Sequence, residues 1–165
     1  MNRKNLLIHA ALKNEIEPTK KYLNILQFDT IKIKFLTTGV GKEKTIIGIS
    51  DFTKKNNIDH ILNIGTCGSL NTNHQLGTIF IPDTFLGMVK NSLQKIDIVS
   101  LFFNQNNGFK YGKIYTSEKA VDNQQDKLKI QKETGADAVD METFWLAEHC
   151  QKKGIEFTSD RKSVV

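Results

Sequence analysis

The residues best placed to do chemistry are acids that stand where apolar runs end. Asp140 and Glu142 flank Met141 between 136–139, which reads as a short buried strand, and 142–153, which reads as a helix with Phe144, Ala147 and Cys150 on one side. A carboxylate beside a flexible thioether at a strand-to-helix junction suits a pocket floor that grips hydroxyls, because open α/β sheets bind ligands at the carboxyl ends of their strands. The same residues have a purely structural account, in which Asp140 caps the helix and Glu142 favours its N-terminal dipole. Glu15 stands in the same way at the end of the first strand, where a first-turn acid that suits the helix dipole is the plain alternative.

The elements that must position these acids alternate along the chain. Asn5 to Ala11 is the near-continuous apolar run expected of a parallel-sheet strand. Asn14 can cap a helix beginning at Glu15, with Pro18 tolerated in its first turn. Thr30 to Thr38 alternates as a strand with one wetter face, and Gly39-Val-Gly-Lys then permits a tight turn with exposed N–H groups that suit an anion or hydroxyl. The third glycine of a dinucleotide fingerprint and the Gly-Lys-Ser/Thr of a P-loop are both missing there. A helix over 42–56 leads to a third strand from His60 to Gly65, and Thr66, Cys67 and Gly68 read as a second glycine-rich turn whose amides could line a ligand site. Strands are expected over 76–82 and 109–116, a strand or short helix over 96–103, an amphipathic helix over 123–134 closed by Gly135, and a last strand from Ile155. This alternation predicts one α/β domain spanning 1–165 around a central sheet.

Composition narrows the partners. With 165 residues, 39% hydrophobic and 25% charged, the chain has enough apolar material for one core. The net charge of +5 comes from lysines spread along the chain and mixed with acids, without the basic stripe and interleaved aromatics of a nucleic-acid surface. No apolar run approaches the roughly 18 residues of a membrane span, and the apolar N-terminal run lacks a cleavage site, so a cytoplasmic protein without a membrane partner is expected. Cys67 and Cys150 form no Cys-x-x-Cys pair, and His9, His60, His74 and His149 fall at no metal-ligand spacing. Neither a metal nor an organic cofactor is expected.

Four separated patches, taken together, resemble the nucleoside phosphorylase and nucleosidase superfamily, and most of all its methylthioadenosine/S-adenosylhomocysteine nucleosidases. They are Ala10-Ala-Leu-Lys-Asn-Glu15-Ile, Thr38-Gly-Val-Gly-Lys, Asn63-Ile-Gly-Thr66-Cys-Gly68-Ser-Leu and Val139-Asp-Met141-Glu142, in the family's order. The resemblance implies a single-domain, three-layer phosphorylase/hydrolase-like fold with a mostly parallel mixed sheet, and hydrolysis of the N-glycosidic bond of a purine nucleoside such as methylthioadenosine or S-adenosylhomocysteine. It implies that Glu15 activates water, that Thr66, Cys67 and Gly68 form the sugar-side turn, that Met141 packs on the ribose while Glu142 accepts its hydroxyls, and that the base lies along the 116–121 turn at Val121. It also implies a homodimer through the helix from Lys42 and the irregular middle of the chain. The family's leaving-group acid belongs to a Ser-Asp pair about eight residues beyond Phe157, where this chain has Val164 and Val165. The only such pair is Ser159-Asp160, so either Asp160 serves from a slipped strand or the acid and the closing helix are missing. Phosphorolysis needs a cationic cradle, and the chain has only Arg3 and Arg161, which favours water. A purine nucleoside phosphorylase, a futalosine-type hydrolase and a non-catalytic nucleoside-binding remnant of the fold are the alternatives.

Overall fold

In the computed structural model, residues 3–26, 28–71, 75–98 and 108–164 are described. The apolar first run forms β1 (Lys4–Ala10), followed by α1 (Lys13–Leu23), β2 (Ile31–Thr37), α2 (Lys42–Lys55) and β3 (His60–Ser69). β1 lies between β2 and β3, parallel to both, as strands joined by helical crossovers must. Then come β4 (Ile79–Val89), β5 (Ser92–Asp97), β6 (Lys110–Thr116), α3 (Gln124–Thr134), β7 (Ala138–Asp140), α4 (Thr143–Lys153) and β8 (Glu156–Ser163).

The eight strands make one mixed sheet, and its pairings return on themselves. β3 pairs in parallel with β8, β8 pairs antiparallel with β4, β4 and β6 are parallel, β6 and β7 are parallel, and β7 pairs antiparallel with the end of β3. The ring is possible because β3 is long enough to hold β8 along His60–Cys67 and β7 at Gly68–Ser69. The expected turn at Thr66, Cys67 and Gly68 is therefore strand. α2 and α4 cover one face, over a core that includes Ile49, Ile61, Phe80, Phe144, Leu146 and Phe157. α1 covers part of the other through Ile16, which meets Ile8 and Ala10.

Several boundaries differ from expectation for local reasons. α1 starts at Lys13 because Glu15 reaches back to the Leu12 N–H at 3.0 Å, so Asn14 is not its cap and Pro18 lies in the second turn. β4 runs through Pro82 to Val89, absorbing the proline in a register shift between Pro82 and Thr84. It then turns at Lys90 and Asn91, both at positive φ, into β5. Of the element expected over 96–103, Ile96 and Asp97 close β5, Ile98 follows it, and 99–103 lie outside the described residues. α3 matches closely. Asn123 accepts the Asp126 N–H at 2.8 Å, and Gly135 ends the helix at φ 65°, a left-handed position that suits glycine. Among the described residues, no helix is long and apolar enough to cross a membrane.

Candidate active site

A cleft with room for about 200 Å³ opens where the ends of β1, β3 and β7 meet. Glu15, Thr66, Cys67, Gly68, Val121, Met141 and Glu142 all line it. The sheet brings them together by register: β7 pairs antiparallel with the end of β3, with Val139 opposite Gly68, so Asp140–Glu142 continue beside Thr66. Asp160 is the exception. It sits in β8 opposite Ile64, exposed to solvent, and does not line the cleft. The slipped strand that would bring it in does not occur, because Phe157, Ser159, Arg161 and Ser163 form a buried alternating set in β8, and a one-residue shift would turn all four to the other face.

Three donors hold Glu15. Its Oε1 accepts the Thr66 N–H at 2.9 Å and the Thr66 hydroxyl at 3.0 Å, and its Oε2 accepts from Leu12. The first-turn acid is thus also a bridge from α1 to β3. Gly65, just before Thr66, leaves room for this: a Cβ there would lie 2.9 Å from Glu15 Oε1 and 2.5 Å from Arg161 Nη1. Glu15 and Arg161 therefore approach the same point of β3.

Arg161 is the residue that sequence reasoning passed over. It is 1% exposed, and its Nη2 lies 2.5 Å from Asp140 Oδ2 and 2.6 Å from the Thr143 hydroxyl, with Nε 3.1 Å from the same hydroxyl. Asp140 also takes the Thr116 hydroxyl at 2.8 Å and the Thr143 N–H at 3.0 Å, and Thr143 donates its own hydroxyl to it. Asp140 thus acts as a cap and as the partner of a buried guanidinium. His9 extends the network, bridging Asn63 and Thr38 at 2.9 Å each. Burial pushes its pKa down to about 4, so it is neutral there. Burial likewise pushes the Cys67 thiol up to about 12, which leaves no thiolate nucleophile in the cleft at neutral pH.

Glu142 is 5% exposed and stands at the N-cap position of α4, outside the helix expected to begin with it. Its Oε1 accepts the Gly41 N–H at 2.8 Å, so an amide that seemed free for a ligand in the 39–42 turn serves this carboxylate instead. Burial, then the neighbouring Asp140 charge, raise its pKa to about 7 against the pull of Arg161 and the Gly41 N–H. A carboxyl whose folded pKa is raised contributes stability that is fully present below the unfolded value and is lost as pH rises through the folded one. Between pH 4.5 and about 7 the wild type should therefore lose stability relative to Glu142→Gln, by on the order of 3 kcal/mol at pH 8. Paired thermal melts at pH 4, 6 and 8 measure this; a difference that does not change with pH would show that Glu142 is not proton-loaded by its site.

The cleft lining has one cation among the described residues, Lys119. Arg3 is far from it, bonding the Asp29 carbonyl at 2.9 Å. Among the described residues, no group of three or more His, Cys, Asp or Glu is placed to hold a metal ion.

Fold and cleft define a class: a mixed α/β sheet whose strand ends gather carboxylates around a small pocket. The sequence matches the family model of the phosphorylase superfamily over residues 32–159, and the chain belongs to that superfamily. Solved structures match over nearly the whole chain at low identity. The 5'-methylthioadenosine/S-adenosylhomocysteine nucleosidase of Helicobacter pylori, solved with butyl-thio-DADMe-Immucillin-A, superimposes with a TM-score of 0.87 at 17% identity, covering 98% of this chain and 84% of its own. The futalosine hydrolase of Helicobacter pylori strain 26695 gives 0.87 at 16% identity, over 99% and 88%. The S-adenosylhomocysteine nucleosidase of Streptococcus pyogenes, in complex with 5-methylthiotubericidin, gives 0.85 at 17%, over 99% and 84%. No curated protein sequence matches significantly.

Proposed function

We propose that the chain binds a purine nucleoside in this cleft and hydrolyses its N-glycosidic bond. The observation that carries this reading is that Glu15 and Glu142, which lie 127 positions apart in sequence (142 − 15), line one cleft with Thr66 and Met141. The nucleosidases and the hydrolase that share the fold support it by their named substrates.

In this reading Met141 packs against the ribose and Glu142 holds its hydroxyls. Breaking the bond builds positive charge on the sugar, which nearby carboxylates stabilise. Glu15, held by three donors, takes a proton from water as the water oxygen bonds to the anomeric carbon. The glycosidic electron pair leaves with the base, along the wall made by Cys67, Gly68 and Val121. Water is the nucleophile because Arg161 is committed to Asp140 and Thr143. Among the described residues, the carboxylates that line the cleft are Glu15, Asp140 and Glu142, with Asp160 outside it. With no further carboxylate of the described residues at the base wall, the departing base in this reading takes its proton from solvent, and turnover is slow by roughly the hundred- to ten-thousand-fold that a positioned acid contributes. The reading includes a cytoplasmic homodimer that packs through α2, where Ile47 is exposed, and through the irregular middle of the chain, of which 99–107 lie outside the described residues.

The experiment is a titration and crystal structure with 5-methylthiotubericidin, the compound bound in the Streptococcus pyogenes structure. The expected result is saturable binding with the ribose between Met141 and Glu142 and the anomeric carbon facing Glu15. No binding at millimolar concentration, or binding outside the cleft, would end the proposal.

A further inference from the structure

Lys42 is electrostatically misplaced as a helix residue. It follows the N-cap Gly41 at the positive end of α2, where an acid would be favoured. What it gains there lies outside the helix. Its Nζ stands 4.0 Å from the ring centre of Trp145 on α4 and 3.7 Å from Glu118 Oε1 in the segment after β6. Each contact is made beside a different part of the cleft. Glu118 is next to Lys119, Ala120 and Val121, which line it. Trp145 stands three residues beyond Glu142, and Gly41, the residue before Lys42, donates its N–H to the Glu142 carboxylate. One side chain thus ties α2, α4 and the 117–123 segment together around the site.

We infer that Lys42 is a positioning residue, clamping the start of α2 and the segment after β6 so that the Glu142 carboxylate and the Val121 wall are set for a bound nucleoside. The inference rests on the proposed function for its ligand but not for its geometry, so it has two separable tests. A cation over an indole ring and an exposed ion pair together are on the order of a tenfold change in an equilibrium.

In the ligand-free protein, NMR-detected hydrogen exchange of the Gly41 amide should be about tenfold faster in Lys42→Met than in wild type, with the β1 amides of Leu7 and Ile8 unchanged as an internal reference. Lys42→Arg should restore it, since arginine keeps both contacts. With 5-methylthiotubericidin, followed by the fluorescence of Trp145, the chain's only tryptophan, Lys42→Met should bind about tenfold more weakly and Lys42→Arg nearly normally. Unchanged Gly41 protection in Lys42→Met would overturn the clamp, as would unchanged affinity in a protein whose wild type binds. A loss of protection shared equally by Leu7 and Ile8 would overturn it too, because Lys42 would then only stabilise the fold. If the wild type does not bind the analogue, the nucleoside reading falls, and Gly41 exchange alone decides the clamp.

Discussion

Replacing Arg161 by methionine should lower the stability of the protein by about 3–5 kcal/mol, the usual consequence of removing one partner of a buried ion pair. The effect is large because Asp140 is 7% exposed and would keep a charge with no cation beside it. Thr143 would also lose a partner, since its hydroxyl lies 2.6 Å and 3.1 Å from two guanidinium nitrogens. The double variant Arg161→Met/Asp140→Asn should recover a substantial part of the loss. Its amide oxygen can still accept from Thr116 or Thr143, and the pair leaves no unpartnered charge behind. Urea unfolding followed by circular dichroism measures all three proteins. A loss below about 1 kcal/mol in the single variant would mean that the guanidinium is not the counter-charge of Asp140 in solution.

The sequence exposed most of the fold because its apolar runs have clear periods and its helices carry local stop signals. The 123–134 helix is the plainest case, with Asn123 at one end and Gly135 at the other. What it did not expose was long-range. Thr66 to Gly68 read as a turn because two glycines within four residues usually mark one, yet β8 and β7 hold that stretch as strand. Pro82 read as the end of a strand for the same reason, and a register shift let β4 pass it. The closure of the sheet depends on β4 meeting β8 at only two residue pairs, which no local pattern records.

The site was legible where a motif held it and obscure where packing did. Glu15, Met141 and Glu142 were recognisable from their patches. Arg161 enters the sequence reading only as one of two arginines, too few for a phosphate cradle, although one signal points further. It is one of only two arginines among 23 basic residues, and in so lysine-rich a chain an arginine within a strand suggests a fork matched to a buried carboxylate. The choice between cap and site at Asp140 and Glu142 was less a choice than it looked. Asp140 does the structural work of capping α4 and pairing Arg161, and Glu142, outside that pair, lines the cleft beside it.

That division of labour leads to the second large effect. Glu15→Gln should lower the rate of base release by about a hundred- to ten-thousand-fold while changing the affinity for 5-methylthiotubericidin by less than about threefold. Glutamine keeps an oxygen that can accept from Thr66, so the link from α1 to β3 survives. What it cannot do is take a proton from water. A change confined to turnover with binding preserved is the mark of a group that acts only in the transition state. Glu142→Gln should instead weaken binding of the analogue, because it alters the group proposed to hold the ribose hydroxyls. The measurement that tests the account most directly is the release of free adenine from methylthioadenosine, quantified by chromatography, for the wild type and for Glu15→Gln side by side. The account predicts slow but catalytic release by the wild type and almost none by the variant, with analogue binding intact in both. Equal rates in the two proteins, or no release by the wild type above the uncatalysed reaction, would contradict it.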